Sequence, residues 1–339
     1  MSKKHSNISV FVPHIGCPNQ CSFCNQFSIT ACTKTPDEND VIKAVNVAKN
    51  SKNYNPQTTE LAFFGGSFTA IPREYMLRLL TVANTLLQRG DISGIRISTR
   101  PDAVDSEIIE ILKEYGVTAV ELGAQSMCDA VLKANRRGHT VRDVENASHL
   151  IKAAGFSLGL QMMTGLYKSS YETDISAAEK IIALKPDTVR IYPTITLKDT
   201  HLEELFKSGE YCPPTLDDTV DLVAKLLLMF KKENINVIRT GLHAINEEDY
   251  IAGPWHPAFK ELCDSQIYKW EILKHPSGKY TCFVKKGEIS KAVGQLKQNI
   301  NQLKKQGYDI TFKECDEMAV YEIRMCKESA VKFNSDTRL

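Results

Sequence analysis

Residues 8 to 24 read ISVFVPHIGCPNQCSFC, and the order of features in this stretch decides the fold. Its first part, ISVFVP (8 to 13), is a short apolar, β-rich run broken at Pro13, which is the pattern of a short strand. Directly afterwards Cys17, Cys21 and Cys24 place three thiols within eight residues. In β/α barrels the chemistry sits on loops at the carboxyl ends of strands, which is where these thiols fall.

Working outward, similar short β-rich runs recur at TELAFF (59 to 64), GIRIS (94 to 98), VTAVEL (117 to 122), FSLGLQM (156 to 162), DTVRIYP (187 to 193) and INVIRT (235 to 240). Between them, amphipathic stretches near 37 to 50, 72 to 89, 105 to 115, 141 to 154, 170 to 184 and 217 to 233 predict helices. Pro36-Asp37 and Pro72 are start signals, and Gly90, Gly116 and Gly155 are stops. Strict alternation of strand and helix implies parallel strands with right-handed crossovers. Six or seven such units predict an α/β architecture, a partial (β/α)6-type, TIM-like barrel spanning residues 1–252. After Gly253-Pro254 the rhythm changes. Residues 267 to 274 and 279 to 285 read as strands, 289 to 307 as one helix, and 309 to 314 and 318 to 325 as strands, giving a small α+β module over 253–339. The segment from 198 to 216 reads as the longest irregular stretch of the second half.

Composition narrows the function classes. A chain of 339 residues with a formal charge of +1 is neither fibrous nor disordered, and carries no overall charge that signals a polyanion. The opening MSKKHSNISVFV has basic residues before a short apolar run, but the run leads into cysteines rather than a small-residue cleavage site and reads as the first strand. No stretch approaches the ~20 apolar residues of a membrane span. Ten cysteines without a secretory signal favour thiols and metal ligands over disulfides, and the expected compartment is the reducing cytoplasm.

Three thiols this closely spaced let one loop wrap three corners of an iron-sulfur cubane. A fourth thiolate at the same local spacing is missing, and an iron without a protein ligand has open coordination sites for a small molecule. The competing readings are a structural zinc site or a four-cysteine cluster completed by Cys32, and buried core cysteines.

At these residues CPNQCSFC resembles the CxxxCxxC signature of radical S-adenosylmethionine enzymes. The resemblance implies a 4Fe-4S cluster on Cys17, Cys21 and Cys24, an S-adenosylmethionine cofactor bound to the unique iron, and a 5′-deoxyadenosyl radical that abstracts hydrogen from a substrate. It further implies a reducing electron donor of flavodoxin or ferredoxin type. Gly65-Gly66-Ser67 resembles the family's GGE-like turn, whose backbone receives the methionine amino group, with Ser67 where glutamate is common. Leu122-Gly123-Ala124-Gln125-Ser126 and Asn135-Arg136-Arg137-Gly138-His139-Thr140 are similar to a subgroup like the Elongator catalytic subunit, and more distantly to oxygen-independent coproporphyrinogen oxidase. From that likeness Gln125 and Arg137 are expected near S-adenosylmethionine, Arg137 as a bidentate fork for its carboxylate. Gln161 and Met162, at the end of the fifth strand, are expected to line the adenosine, and Tyr192 to face the barrel mouth. His243, Trp255 and His256 are candidates for capping the pocket.

Elongator catalytic subunits carry a large acetyltransferase domain, for which the last ~70 residues are too few. The substrate is open: tRNA by analogy with the Elongator-like subgroup, a tetrapyrrole or other small molecule by the more distant likeness, with a non-catalytic iron-sulfur or zinc protein as the alternative from another class. A tRNA substrate calls for a basic stripe at the mouth, and Arg96, Arg100, Arg136, Arg137, Arg142 and Arg190 are its candidates.

Overall fold

A computed structural model describes residues 6–12, 17, 20–25, 35–242 and 245–327. By internal contacts the chain divides into two units, one of residues 1–219 and 226–257, the other of residues 220–225 and 258–339.

Along residues 6 to 252 strands and helices alternate as the spacing predicts. In chain order they are β1 (Ser6–Val12), α1 (Glu38–Lys49), β2 (Thr59–Gly65), α2 (Arg73–Gln88), β3 (Gly94–Thr99), α3 (Ser106–Glu114), β4 (Val117–Gln125), α4 (Asp129–Ala134), α5 (Val141–Ala153), β5 (Ser157–Thr164), α6 (Tyr171–Ala183), β6 (Thr188–Pro193), β7 (Thr196–Leu197), α7 (His201–Lys207), α8 (Leu216–Lys232), β8 (Asn236–Thr240) and β9 (Tyr250–Ala252). Helix starts are set locally. Asp37 with Asp40, Thr140 with Asp143 and Ser170 with Thr173 form reciprocal capping boxes at α1, α5 and α6, each satisfying backbone donors that a helix start leaves unpaired. The segment expected to be irregular holds α7, capped by Thr200.

Seven strands make one all-parallel sheet in the order β1-β2-β3-β4-β5-β6-β8, and among the described residues its two edge strands do not pair with each other. The result is the predicted partial barrel, with seven strands. Side chains alternate across it. On β1, Ile8, Val10 and Val12 are buried, whereas Asn7, Ser9 and Phe11 line a cavity on the other face. Ile97, Leu160, Val189 and Ile191 continue the buried set. Among the described residues no helix is long and apolar enough to cross a membrane.

The second unit contains α9 (Phe259–Leu273), β10 (Lys279–Lys285), α10 (Ile289–Val293), α11 (Gln298–Lys305), β11 (Asp309–Cys315) and β12 (Ile323–Lys327). Its sheet runs β11-β10-β12, with β11 parallel and β12 antiparallel to β10. Three sequence expectations are corrected here. Residues 267 to 274 are not a strand but belong mostly to α9: the buried Phe259, Cys263 and Ile267, and then Tyr268 and Ile272, recur at spacings of four residues, a helical period that a short window around QIYKWEIL conceals. The helix expected over 289 to 307 breaks after Val293, where Gly294, Leu296 and Lys297 all take positive φ. Residues 318 to 322 form a turn with Tyr321 at φ 65°, so the last strand starts only at Ile323.

Candidate active site

The cysteine loop is anchored by the residues between its thiols. Ser22 is fully buried; its hydroxyl donates to Asn135 Oδ1 at 2.7 Å, its N–H donates to the Asn135 carbonyl at 3.1 Å, and its carbonyl accepts from Leu202 N–H at 2.7 Å. Phe23 packs against Val131, Met163 and Leu166, and also against Leu202, Leu205 and Tyr211. Cys24 N–H closes a turn on the Cys21 carbonyl at 3.1 Å. With Ser22 buried and Phe23 packed against these apolar side chains, Cys17, Cys21 and Cys24 remain half-buried.

At the end of β2, Gly65 has φ +111°, and a Cβ built on it would lie 2.7 Å from the Val12 carbonyl oxygen. That oxygen accepts the Gly66 N–H at 2.8 Å, so the two glycines wrap the end of β1 where the cysteine loop departs. Ser67 follows, buried, with its Oγ 3.7 Å from Cys17 Sγ.

The end of β4 is irregular. Its register with β5 shifts between Leu122 and Gln125, and Gln125 takes φ 62°, a costly conformation for a residue with a side chain. This turns the Gln125 side chain into the cavity, where its Oε1 has no hydrogen-bond partner among the described residues. Arg137 reaches the same region from the loop after α4. Its Nη1 donates to Cys21 Sγ at 3.1 Å and its Nη2 to the Gly123 carbonyl at 2.8 Å. Nearby His139 donates from Nε2 to the Ala124 carbonyl at 3.2 Å; burial, with the Arg137 charge, pushes its imidazole down to about 4, so it is neutral at pH 7.

These pieces surround a cavity of about 430 Å³. Cys24, Gly65, Ser98, Gln125, Gln161 and Met163 line it, and Tyr192 faces it as expected. Met162 does not: it is fully buried on the opposite face of β5, because successive strand residues alternate, and Met163 takes the lining position. Gly66, Ser67 and Arg137 stand behind the wall rather than in it, against Val12, Cys17 and Cys21 respectively. His256 and Trp255 are not among the lining residues, and His243 and Cys32 lie outside the described residues.

The cavity's floor is a buried ionic layer that sequence reasoning missed. Glu121, 1% exposed, accepts from Arg190 Nε at 2.7 Å and Nη2 at 2.8 Å, from Arg96 Nη1 at 3.4 Å and from Gln161 Nε2 at 3.1 Å. Arg96 also pairs with Glu60 at 2.7 Å, so two guanidiniums meet two carboxylates. Burial opposes the charge on Arg190, but Glu121 more than offsets it and holds the guanidinium above its usual range. Phe64 covers Arg190 at 5.3 Å from ring centroid to guanidinium carbon. The expected basic stripe is thereby corrected: Arg96 and Arg190 are spent on Glu60 and Glu121, Arg100 on Asp102 and Arg137 on Cys21, which leaves Arg136 and Arg142 exposed.

Three half-buried thiols on one loop are the donor type that iron-sulfur clusters take. Among the described residues no three His, Cys, Asp or Glu side chains converge as ligands for one metal ion. A cubane takes one thiolate per iron corner and does not need that convergence. Gln125 and Ser98 line the cavity, and their Oε1 and Oγ are buried without a hydrogen-bond partner among the described residues, polar groups of the kind a small polar cofactor engages.

Comparison with known proteins places these features in a family. Residues 11–181 match the model of the Radical SAM superfamily, and residues 186–269 match that of the Radical SAM C-terminal domain. Human Elongator complex protein 3 is 34% identical over 190 residues, covering 50% of this chain and 35% of that protein. The tRNA uridine(34) acetyltransferase of Dehalococcoides mccartyi is 27% identical over 252 residues, 65% of this chain and 55% of that one. The chain thus spans about a third to a half of the length of these relatives. Among solved structures, the Elp3 of the archaeon Methanocaldococcus infernus superposes with a TM-score of 0.64 at 22% identity, covering 79% of this chain and 63% of that one.

Proposed function

Since the chain belongs to the Radical SAM superfamily and is a radical S-adenosylmethionine enzyme, we propose that Cys17, Cys21 and Cys24 hold a 4Fe-4S cluster beside the cavity and that S-adenosylmethionine binds within it. Such a cluster, once reduced by one electron, supplies cleavage of the cofactor to methionine and a 5′-deoxyadenosyl radical that takes a hydrogen atom from substrate. The observation that carries the proposal is the meeting of three strand ends at one cavity: Cys24 of the cysteine turn after β1, Gly65 at β2 and Gln125 at β4.

The residues divide the work by chemistry. Gly65 presents backbone on the cavity wall, Gly66 ties that turn to the Val12 carbonyl, and Ser67 sits against the Cys17 sulfur. Gln125 offers an oxygen that only a donor can satisfy, suited to the cofactor's amine or hydroxyls. Gln161 is held by Glu121 in a fixed orientation on the wall, and Met163 supplies an apolar surface for adenosine. The wall around them is largely aromatic and aliphatic, which excludes water from a reactive radical.

For the substrate we propose tRNA, supported by the name of the D. mccartyi relative; its acetyltransferase activity is not carried over. The electron source is a low-potential donor of flavodoxin or ferredoxin type, and the second unit is a separate α+β module that helps recognise substrate. Anaerobic reconstitution tests the chemistry: four irons per chain and 5′-deoxyadenosine on reduction are expected, and single Cys17→Ala, Cys21→Ala and Cys24→Ala variants are expected to lose both. Tightly bound zinc without cofactor cleavage refutes it. Binding to bulk tRNA that weakens steeply with salt is expected for the substrate; no binding at low ionic strength rejects tRNA.

A further inference from the structure

Arg137 is 9% exposed, yet among the described residues no carboxylate lies within ion-pair distance of its guanidinium. A guanidinium cannot shed its proton, so burying it without a counter-ion is costly, and native structures pair such groups. Its contacts are one carbonyl, that of Gly123, and one sulfur, that of Cys21 at 3.1 Å; its Nε has no partner. Neighbouring charges are otherwise committed. Arg100, whose guanidinium is held protonated chiefly by Asp102 and also feels Cys17 and Cys21, is neutralised by that aspartate. His139 is uncharged at pH 7. Space for the guanidinium comes from Gly123, where a Cβ would stand 3.3 Å from Nη2. Among the described residues the one group that can stand as anion to Arg137 is therefore the Cys21 sulfur, which binds iron as a thiolate.

We propose that Arg137 is a positioning residue, the fixed counter-ion of the Cys21 thiolate, and that through this sulfur it raises the reduction potential of the cluster. The inference rests on the cluster assignment above. Reduction transfers one electron from a one-electron donor, flavodoxin-like in the cell or dithionite in vitro, and the donor is oxidised by one electron. No bond forms or breaks and no proton moves, so one added negative charge stays on the cluster and its thiolates. A permanent cation hydrogen-bonded to a ligand sulfur favours that more negative state, since cluster potentials follow net charge and hydrogen bonds to sulfur. A role confined to gripping the S-adenosylmethionine carboxylate predicts something else: weaker cofactor binding, with the cofactor-free potential unmoved.

The test is the midpoint potential of the reconstituted cluster, read by electron paramagnetic resonance titration without S-adenosylmethionine, in the full chain and in Arg137→Gln and Arg137→Lys. Iron content of the unaltered protein is measured first; if it takes up no 4Fe-4S cluster, the proposed function fails and takes this inference with it. With the cluster present, Arg137→Gln is expected to lower the reduction equilibrium constant about tenfold, a fall of about 59 mV for a one-electron couple, while Arg137→Lys, which keeps the charge, stays near the unaltered value. Loss of the cluster in the glutamine variant but not in the lysine variant carries the same meaning. An unchanged potential in Arg137→Gln, equal falls in both variants, or loss of the cluster from both overturns the proposal, because then charge on the sulfur is not what Arg137 provides.

Discussion

Replacing Gly65 with alanine tests whether the end of β2 is built around a missing side chain. The new Cβ would lie 2.7 Å from the Val12 carbonyl oxygen and 3.2 Å from its carbon, and because these are backbone atoms within a paired strand they cannot swing aside. Three costs follow. Holding alanine at φ +111° costs about 1 to 3 kcal/mol, the overpacking a further ~1 to 3 kcal/mol, and weakening of the Gly66 N–H bond to Val12, 2.8 Å long, about 1 kcal/mol. Partial relaxation makes these less than additive, so a loss of roughly 3 to 5 kcal/mol is expected, equivalent to a fall in melting temperature on the order of 10 °C for a unit of this size. Gly90 is the internal control: its φ is +71°, but a Cβ there meets nothing within 4 Å, so Gly90→Ala carries only the dihedral cost, about 1 kcal/mol. Urea unfolding of both variants, followed by circular dichroism, separates the contributions. Equal losses in the two would refute the reasoning, since the close approach to Val12 would then cost nothing.

Other consequences are equally direct. Glu121→Gln leaves Arg96 and Arg190 buried beside a neutral amide and is expected to destabilise by about 3 to 5 kcal/mol in urea unfolding; a change under about 1 kcal/mol would mean the layer is not electrostatically coupled. Gln125→Ala removes an unpartnered cavity-facing amide and should weaken S-adenosylmethionine binding by about 1 to 2 kcal/mol, read by equilibrium binding to the reconstituted enzyme, and an unaltered dissociation constant rejects the assignment. Asp174 is buried, and desolvation raises its carboxyl to about 7 against donation from Gly165 N–H and the Ser169 hydroxyl. Its native pKa lies above the unfolded value of 3.8, so the stability it contributes is complete below about pH 4 and is lost as pH rises through about 7. Asp174→Asn, which can still accept from Gly165, should therefore gain stability relative to the native protein at pH 8 compared with pH 4; parallel stability curves would show that Asp174 ionises freely.

Much of this protein is legible in its sequence because the relevant partners are near neighbours. Strand and helix periods lie within single windows, and the seven parallel strands fall within three residues of their expected bounds. The same holds for the capping boxes and for the cysteine spacing, which one loop contains. Legibility ends where partner choice depends on the path of the chain. Met162 and Met163 differ by one residue, and only the phase of β5 in the sheet decides which of them meets the cavity. Glu121 finds Arg96 and Arg190 from positions 25 and 69 residues away, and Arg137 finds Cys21 across 116. No local pattern records those distances, so four arginines that look alike as a basic stripe become two members of an ionic floor, a half-buried partner of Asp102 and a cation on a sulfur. The chain's own spacing determined the strands, the helices and the three thiols on one loop. Which charges are neutralised and which side chains face the cavity was decided by tertiary structure, because burial makes an ion's cost depend on what the fold sets beside it.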